Sequence, residues 1–154
     1  MIKEVSAFVG SFDRLGYVVD EELATILFLM TSLQKPLLLE GHPGVGKTEV
    51  ANILATYLDT DLIRLQCYEG LDVNTSLYEW NYPKQILWMK QAEICEAPQQ
   101  ALVKEIFSPE FLIQRPLLEA IQSDSPKPPV LLIDEIDRSD EEFEAFLLEV
   151  LAEW

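Results

Sequence analysis

Residues 37–48 read Leu-Leu-Leu-Glu-Gly-His-Pro-Gly-Val-Gly-Lys-Thr. Leu37-Leu38-Leu39 is an apolar run too short for a helix, bounded by Pro36 and Gly41, and predicts a buried strand. Gly41 to Thr48 satisfies GxxxxGK[ST]. From Lys47 to Leu58, Val50, Ala51, Ile53, Leu54, Tyr57 and Leu58 fall on one helical face. The motif thus lies between a predicted strand and a predicted helix, where its glycines let successive backbone N–H groups turn inward at phosphate oxygens. The positive end of the helix adds to that attraction. A glycine-rich turn that merely joins strand to helix leaves the Lys-Thr pair without a purpose. The nucleotide-binding stretch is therefore read as Gly41, His42, Pro43, Gly44, Val45, Gly46, Lys47 and Thr48, with the adjoining Glu49. Lys47 would reach the β- and γ-phosphates and the Thr48 hydroxyl would coordinate Mg²⁺. His42 is the single histidine and sits at a variable position of such a loop, where no chemical role is required of it.

A second apolar run, Val130-Leu131-Leu132-Ile133, stops abruptly at Asp134-Glu135. Ligands of open α/β sheets bind at the carboxyl ends of strands, so this run points its two acids at the loop. Asp134 is the candidate metal carboxylate. Glu135 is the candidate base that accepts a proton from the attacking water. The 87 positions between Lys47 and Asp134 leave room for an intervening strand and helices. Asp140, Glu141 and Glu142 are sufficiently explained as a cap and first turn of a last helix, whose Phe143, Phe146, Leu147, Val150, Leu151 and Trp154 share a face.

Elsewhere, Asp20 reads as the N-cap of a helix carrying Leu23, Ile26, Leu27, Met30 and Leu33 and ending before Pro36. Leu62 to Cys67 alternates Ile63, Leu65 and Cys67 with Arg64 and Gln66, as a strand does. Between Tyr68 and Lys127 helices are predicted around Thr75–Tyr82, Lys84–Cys95, Ala101–Phe107 and Pro116–Ile121. Strands alternating with helices predict an α/β domain with a mainly parallel sheet.

Composition limits the alternatives. The chain has 154 residues, 49% of them hydrophobic, which suits one folding unit with a real core. With 27 Asp and Glu against 11 Lys and Arg the net charge is −16, so no general basic surface exists to grip nucleic acid. Residues 130–154 alone hold nine acids and one base, a field that Mg²⁺ must offset before a nucleoside triphosphate sits nearby. Cys67 and Cys95 form no CxxC pair, so neither a zinc site nor a disulfide framework is expected. The longest uncharged apolar stretch, Leu23 to Gln34, is too short to span a bilayer, and MIKEVSAFVG does not resemble a secretory signal. A cytoplasmic location, with no membrane partner, is the expectation.

With GHPGVGKT as Walker A and VLLIDEID as Walker B, the chain resembles an AAA+ ATPase. The stretches PLLLEGHPGVGKTEVA, IRLQCYEGLD, SLYEWNYPKQIL and LLIDEIDRSDEEFEAFLLEVL resemble the MoxR-type group, especially its CoxD-like members. The likeness runs from about Gly16 onward. It implies a P-loop NTPase fold, a three-layer αβα arrangement with a mainly parallel sheet. Residues 1–154 would be part of an AAA+ nucleotide-binding domain, with Walker A at 41–48 and Walker B at 130–135. It also implies ATP and Mg²⁺ as cofactors, a homo-hexamer at full length, a client protein to be remodelled or matured, and a von Willebrand factor A-type partner. The segment Gly16-Tyr17-Val18 would lie near the adenine, and Tyr68 to Tyr82 where the group extends toward a substrate pore. Tyr78, Trp80 and Tyr82 read equally well as core. Against the family pattern the sequence lacks the sensor-1 strand, the arginine finger, the fifth strand and the helical lid. That departure, with an amphipathic last helix that has no glycine cap, leads to the expectation of an N-terminal piece of a longer polypeptide.

The leading functional expectation is an ATP-hydrolysing, chaperone-like ATPase whose chemistry rests on Lys47, Thr48, Asp134 and Glu135. The alternative is a nucleotide-binding assembly module that does not hydrolyse, for which the missing finger and sensors argue. A kinase on the same scaffold would need a cluster of lid arginines, and only Arg115 and Arg138 follow Arg64.

Overall fold

The structure is a computed structural model and describes residues 2–94 and 105–152. Val5, Phe8 and Phe12 recur every three or four residues, and this spacing builds α1 (Ile2–Arg14), whose apolar stripe is fully buried. Asp20 caps α2 (Glu21–Leu33) by accepting a 2.7 Å hydrogen bond from the Leu23 amide, and Gln34 closes it in the left-handed conformation two residues before Pro36. α3 (Lys47–Leu58) follows the glycine loop. These three helices share one core of Val5, Phe8, Phe12, Val19, Ala24, Leu27, Val50 and Leu54. Within it Phe8 stacks on Phe12 at 4.8 Å and meets Tyr57 at 4.5 Å.

β1 (Leu62–Gln66) lies parallel to β4 (Val130–Asp134), with Leu62 opposite Val130 and Gln66 opposite Asp134. Their other face packs on a second core of Leu65, Cys67, Leu71, Leu117, Phe143 and Leu147, to which Leu131 and Ile133 contribute. That core is roofed by α6 (Pro116–Ile121) and α7 (Glu141–Ala152); Asp140 caps α7 through the Phe143 amide at 2.8 Å. Helices therefore cover both faces of a parallel pair, the mixed α/β arrangement of part of a P-loop NTPase fold.

Two segments depart from expectation. Leu37–Leu39 is not a strand, because no segment among the described residues pairs with it. Leu37 and Leu39 turn toward the first core while Leu38 stays 69% exposed, so alternation is present and the hydrogen-bond ladder is not. The helix expected over Thr75–Tyr82 is shorter and lies earlier. Asp72 caps α4 (Val73–Leu77) through the Thr75 amide, and at Tyr78 the backbone swings to φ −157°, ψ 166°. The chain then enters β2 (Tyr78–Trp80), antiparallel to β3 (Leu112–Gln114). Aromatic residues favour this extended state, and Asn81 and Pro83 begin the next helix afresh, the Asn81 side chain accepting from the Lys84 amide at 3.1 Å. That helix is α5 (Tyr82–Ile94). Cys95 and most of the predicted helix Ala101–Phe107, residues 101–104, lie outside the described residues, as does Trp154. The aromatics of this region are not deep core: Tyr78 and Tyr82 are exposed, and Trp80 meets Phe107 edge-on at 5.3 Å.

Candidate functional site

The loop from Gly41 to Gly46 passes over the amino end of α3, and two of its turns have left-handed backbones, Gly44 at φ +83° and Gly46 at φ +92°. Side chains rarely adopt this conformation, so glycine is the residue type that lets the loop curl here. A Cβ placed on Gly46 would lie 3.8 Å from Cε2 and Oη of Tyr17, which shows that the Tyr17 ring lies against the loop. Tyr17 also meets Phe12 edge-on at 6.2 Å. Burial, then the nearby charges of Glu49 and Asp20, push its phenol above the usual tyrosine range, so the hydroxyl keeps its proton. Gly16 and Val18 flank it, Val18 being 89% exposed.

Lys47 does not extend toward solvent. Its Nζ donates to the carbonyl oxygens of Gly41 at 2.6 Å and His42 at 3.0 Å, tying the loop to the helix it precedes. His42 thereby serves the loop through its backbone. Pro43 and Val45 lie on the exposed outer side of the same turn. Glu49 points along α3 instead, where it accepts from Asn52 Nδ2 at 3.0 Å.

Across 86 residues of sequence, Thr48 Oγ1 comes within 3.5 Å of Asp134 Oδ2. The parallel pairing of β4 ends at Asp134, which delivers the carboxylate to the loop. The same Oδ2 accepts from Arg64 Nη2 at 2.6 Å, and Arg64 Nη2 also lies 2.7 Å from Gln66 Oε1. Glu135 has the left-handed backbone φ +56°, unusual for a side-chain-bearing residue, and opens a short 3₁₀ turn, Ile136–Arg138. Its carboxylate is held by Arg138 Nε at 2.9 Å, so Glu135 is adjacent to the loop's carboxylate partner but turned to its own arginine.

A hydroxyl and a carboxylate oxygen at this separation suit Mg²⁺, which takes one or two protein oxygens and completes its shell with water and phosphate. No group of three or more His, Cys, Asp or Glu able to hold a metal occurs among the described residues. Beneath the site Cys67 is buried in the second core, and burial together with Asp134, Asp137 and Glu135 pushes its thiol pKa upward. A polar cleft of about 490 Å³ lies at the opposite, amino end of the strands, lined by Asp61, Gln114, Glu119, Gln122 and Asp124, and shares no residue with the loop. No helix among the described residues is long and apolar enough to cross a membrane.

The structure thus brings together Thr48 and Asp134 and holds Lys47 within the loop. It leaves Glu49 outside this group. Sequence reasoning missed Arg64, Gln66 and Arg138 as members of the site. The first two were visible as the polar half of an alternating strand, but their approach to Asp134 depends on the β1–β4 register, which no local pattern encodes. The family model described as the AAA domain of the dynein-related subfamily matches residues 36–153. No solved structure matches the chain.

Proposed function

Because this chain belongs to the AAA domain family of the dynein-related subfamily, a nucleotide-binding family of ATPases, we propose that it binds ATP with Mg²⁺ through residues 41–48 and Asp134 and hydrolyses it with Glu135 as base. The observation that carries this reading is the approach of Thr48 Oγ1 to Asp134 Oδ2 at the end of β4, directly beside the glycine loop. Lys47 leaves the Gly41 and His42 carbonyls to bind the β- and γ-phosphates, and the loop amides take the remaining phosphate oxygens. Thr48 and Asp134 hold Mg²⁺, which when bound neutralises charge on the phosphates. Glu135 must part from Arg138 before it can orient a water molecule. In keeping with the MoxR-type resemblance, turnover would drive the remodelling of a client protein by a homo-hexamer, alongside a von Willebrand factor A-type partner, in the cytoplasm.

A second reading, nucleotide binding without hydrolysis, is favoured by one observation: the carboxylate of Glu135 is already engaged by Arg138. The two separate in one experiment that compares the parent, Lys47→Ala and Glu135→Gln for Mg-ATP-induced thermal stabilisation and phosphate release. The proposal expects Lys47→Ala to lose both and Glu135→Gln to keep stabilisation while losing release. Stabilisation of the parent without phosphate release selects the second reading. Equal loss of stabilisation in both variants refutes the base assignment.

A further inference from the structure

Asp134 Oδ2 has two partners of different kind. The Thr48 hydroxyl stands at 3.5 Å, the far limit of a hydrogen bond, whereas the Arg64 guanidinium sits at 2.6 Å as a full positive charge. The oxygen assigned to the metal is therefore already neutralised by the protein's own cation. Arg64 and Gln66 are two residues apart on β1 and so share a strand face. Because Gln66 is paired opposite Asp134, the guanidinium reaches diagonally across to β4. The two ends of this ion pair differ in freedom. The Arg64 side chain is 52% exposed, against 21% for Asp134, so the arginine can withdraw into water without opening a core while the carboxylate stays in place. It also has somewhere to go, since Gln66 Oε1 already accepts from the same Nη2 at 2.7 Å and carries no charge to hold it back.

We propose that Arg64 is an internal counter-ion that occupies the cation place at Asp134 in the nucleotide-free protein and competes with the divalent ion for it. This inference rests on the reading of Asp134 as the metal carboxylate. Two positive charges at one carboxylate repel, so retention of the Arg64 contact weakens the hold on an entering divalent ion, and the ion in turn weakens that contact. The consequence is a raised Mg²⁺ requirement for holding nucleotide, with Arg64 as the residue that sets it.

The test is a Mg²⁺ titration of the binding of a fluorescent ATP analogue, mant-ATP, to the parent, Arg64→Ala and Arg64→Gln, with a cooperative melt recorded for each. Asp134 is freed in both variants, so the half-saturating Mg²⁺ should fall by about two- to fivefold, the upper part of the range that an exposed ion pair commands. The glutamine variant keeps a polar stem over the strand and should give the same fall, which separates charge from packing. An unchanged or raised half-saturating Mg²⁺ in folded Arg64→Ala and Arg64→Gln overturns the competition and makes Arg64 an aid to metal binding or a bystander. If mant-ATP fails to bind the parent at any Mg²⁺ concentration, the nucleotide reading of the loop falls, and this inference with it.

Discussion

Gly46→Ala isolates the backbone requirement of the phosphate loop, because the structure removes the competing explanation. The added Cβ would meet nothing closer than Tyr17 at 3.8 Å, an ordinary van der Waals contact, so no steric clash contributes. What remains is the left-handed backbone of residue 46, φ 92° and ψ 16°, which costs a residue with a Cβ roughly 1–2 kcal/mol. For a chain of this length, about 2–4 °C per kcal/mol, the melting temperature should fall by about 2–8 °C. Gly10→Ala is the matched control: Gly10 lies inside α1 with nothing within 4 Å of its would-be Cβ, so the same chemical change should stabilise by about 0.4–1 kcal/mol. Differential scanning calorimetry of the three proteins reads both signs at once. Repeating the scans with Mg-ATP adds the functional half, since ligand at about 100 times its Kd stabilises a binder by roughly 2.7 kcal/mol. The parent and Gly10→Ala should show that rise, and Gly46→Ala should lose much of it as the loop amides turn away from the phosphates. A Gly46→Ala protein that melts at or above the parent refutes the strain argument. One that melts lower yet keeps the whole ligand-induced rise refutes the link between this backbone and phosphate binding.

Phe143 is fully buried between α7 and the sheet, so Phe143→Ala should destabilise by about 3–5 kcal/mol in chemical denaturation; a loss below about 1 kcal/mol would mean that the second core is not as packed as described. The raised pKa of Cys67 makes the folded state retain a proton that the unfolded chain releases. Its contribution is complete below the unfolded value of 9.0 and is lost as pH rises through the folded one, so melts across that range should decline less steeply in Cys67→Ala than in the parent. Asp59 behaves in the opposite sense, because its hydrogen bond from Lys127 and that residue's charge lower its pKa. The benefit is present above the unfolded value of 3.8 and vanishes on further acidification, so any melting deficit of Lys127→Met at neutral pH should close in acid.

Much of this arrangement was legible because it is encoded locally. Asp20 and Asp140 cap helices as their positions foretell, and the run Val130–Ile133 forms a strand that ends at Asp134, with Glu135 just beyond it. The loop reads from its glycines together with Lys47 and Thr48, since its physics is a matter of eight consecutive residues. What sequence reasoning missed depends on contacts between distant segments. Leu37–Leu39 has the composition of a buried strand, but a strand exists only by pairing. The helix stripe of Val5, Phe8 and Phe12 was available to the same periodicity argument and was overlooked. Tyr78–Trp80 switched from helix to strand because Leu112–Gln114 offers it a ladder. At the site, Thr48 and Asp134 followed from motif knowledge, whereas Arg64 followed only from register.

Among the described residues Leu37–Leu39 pairs with no strand, and this has a signature in the time domain. Leu132 is also apolar and centred in a run of the same composition, yet its amide faces β1 within a parallel ladder between two cores. Deuterium placed in the solvent should enter the Leu37–Leu39 amides through small local fluctuations, and that of Leu132 only through opening of the sheet. Two stretches that look alike on paper would thus record, in their isotope clocks, the difference between lying beside a core and being part of one.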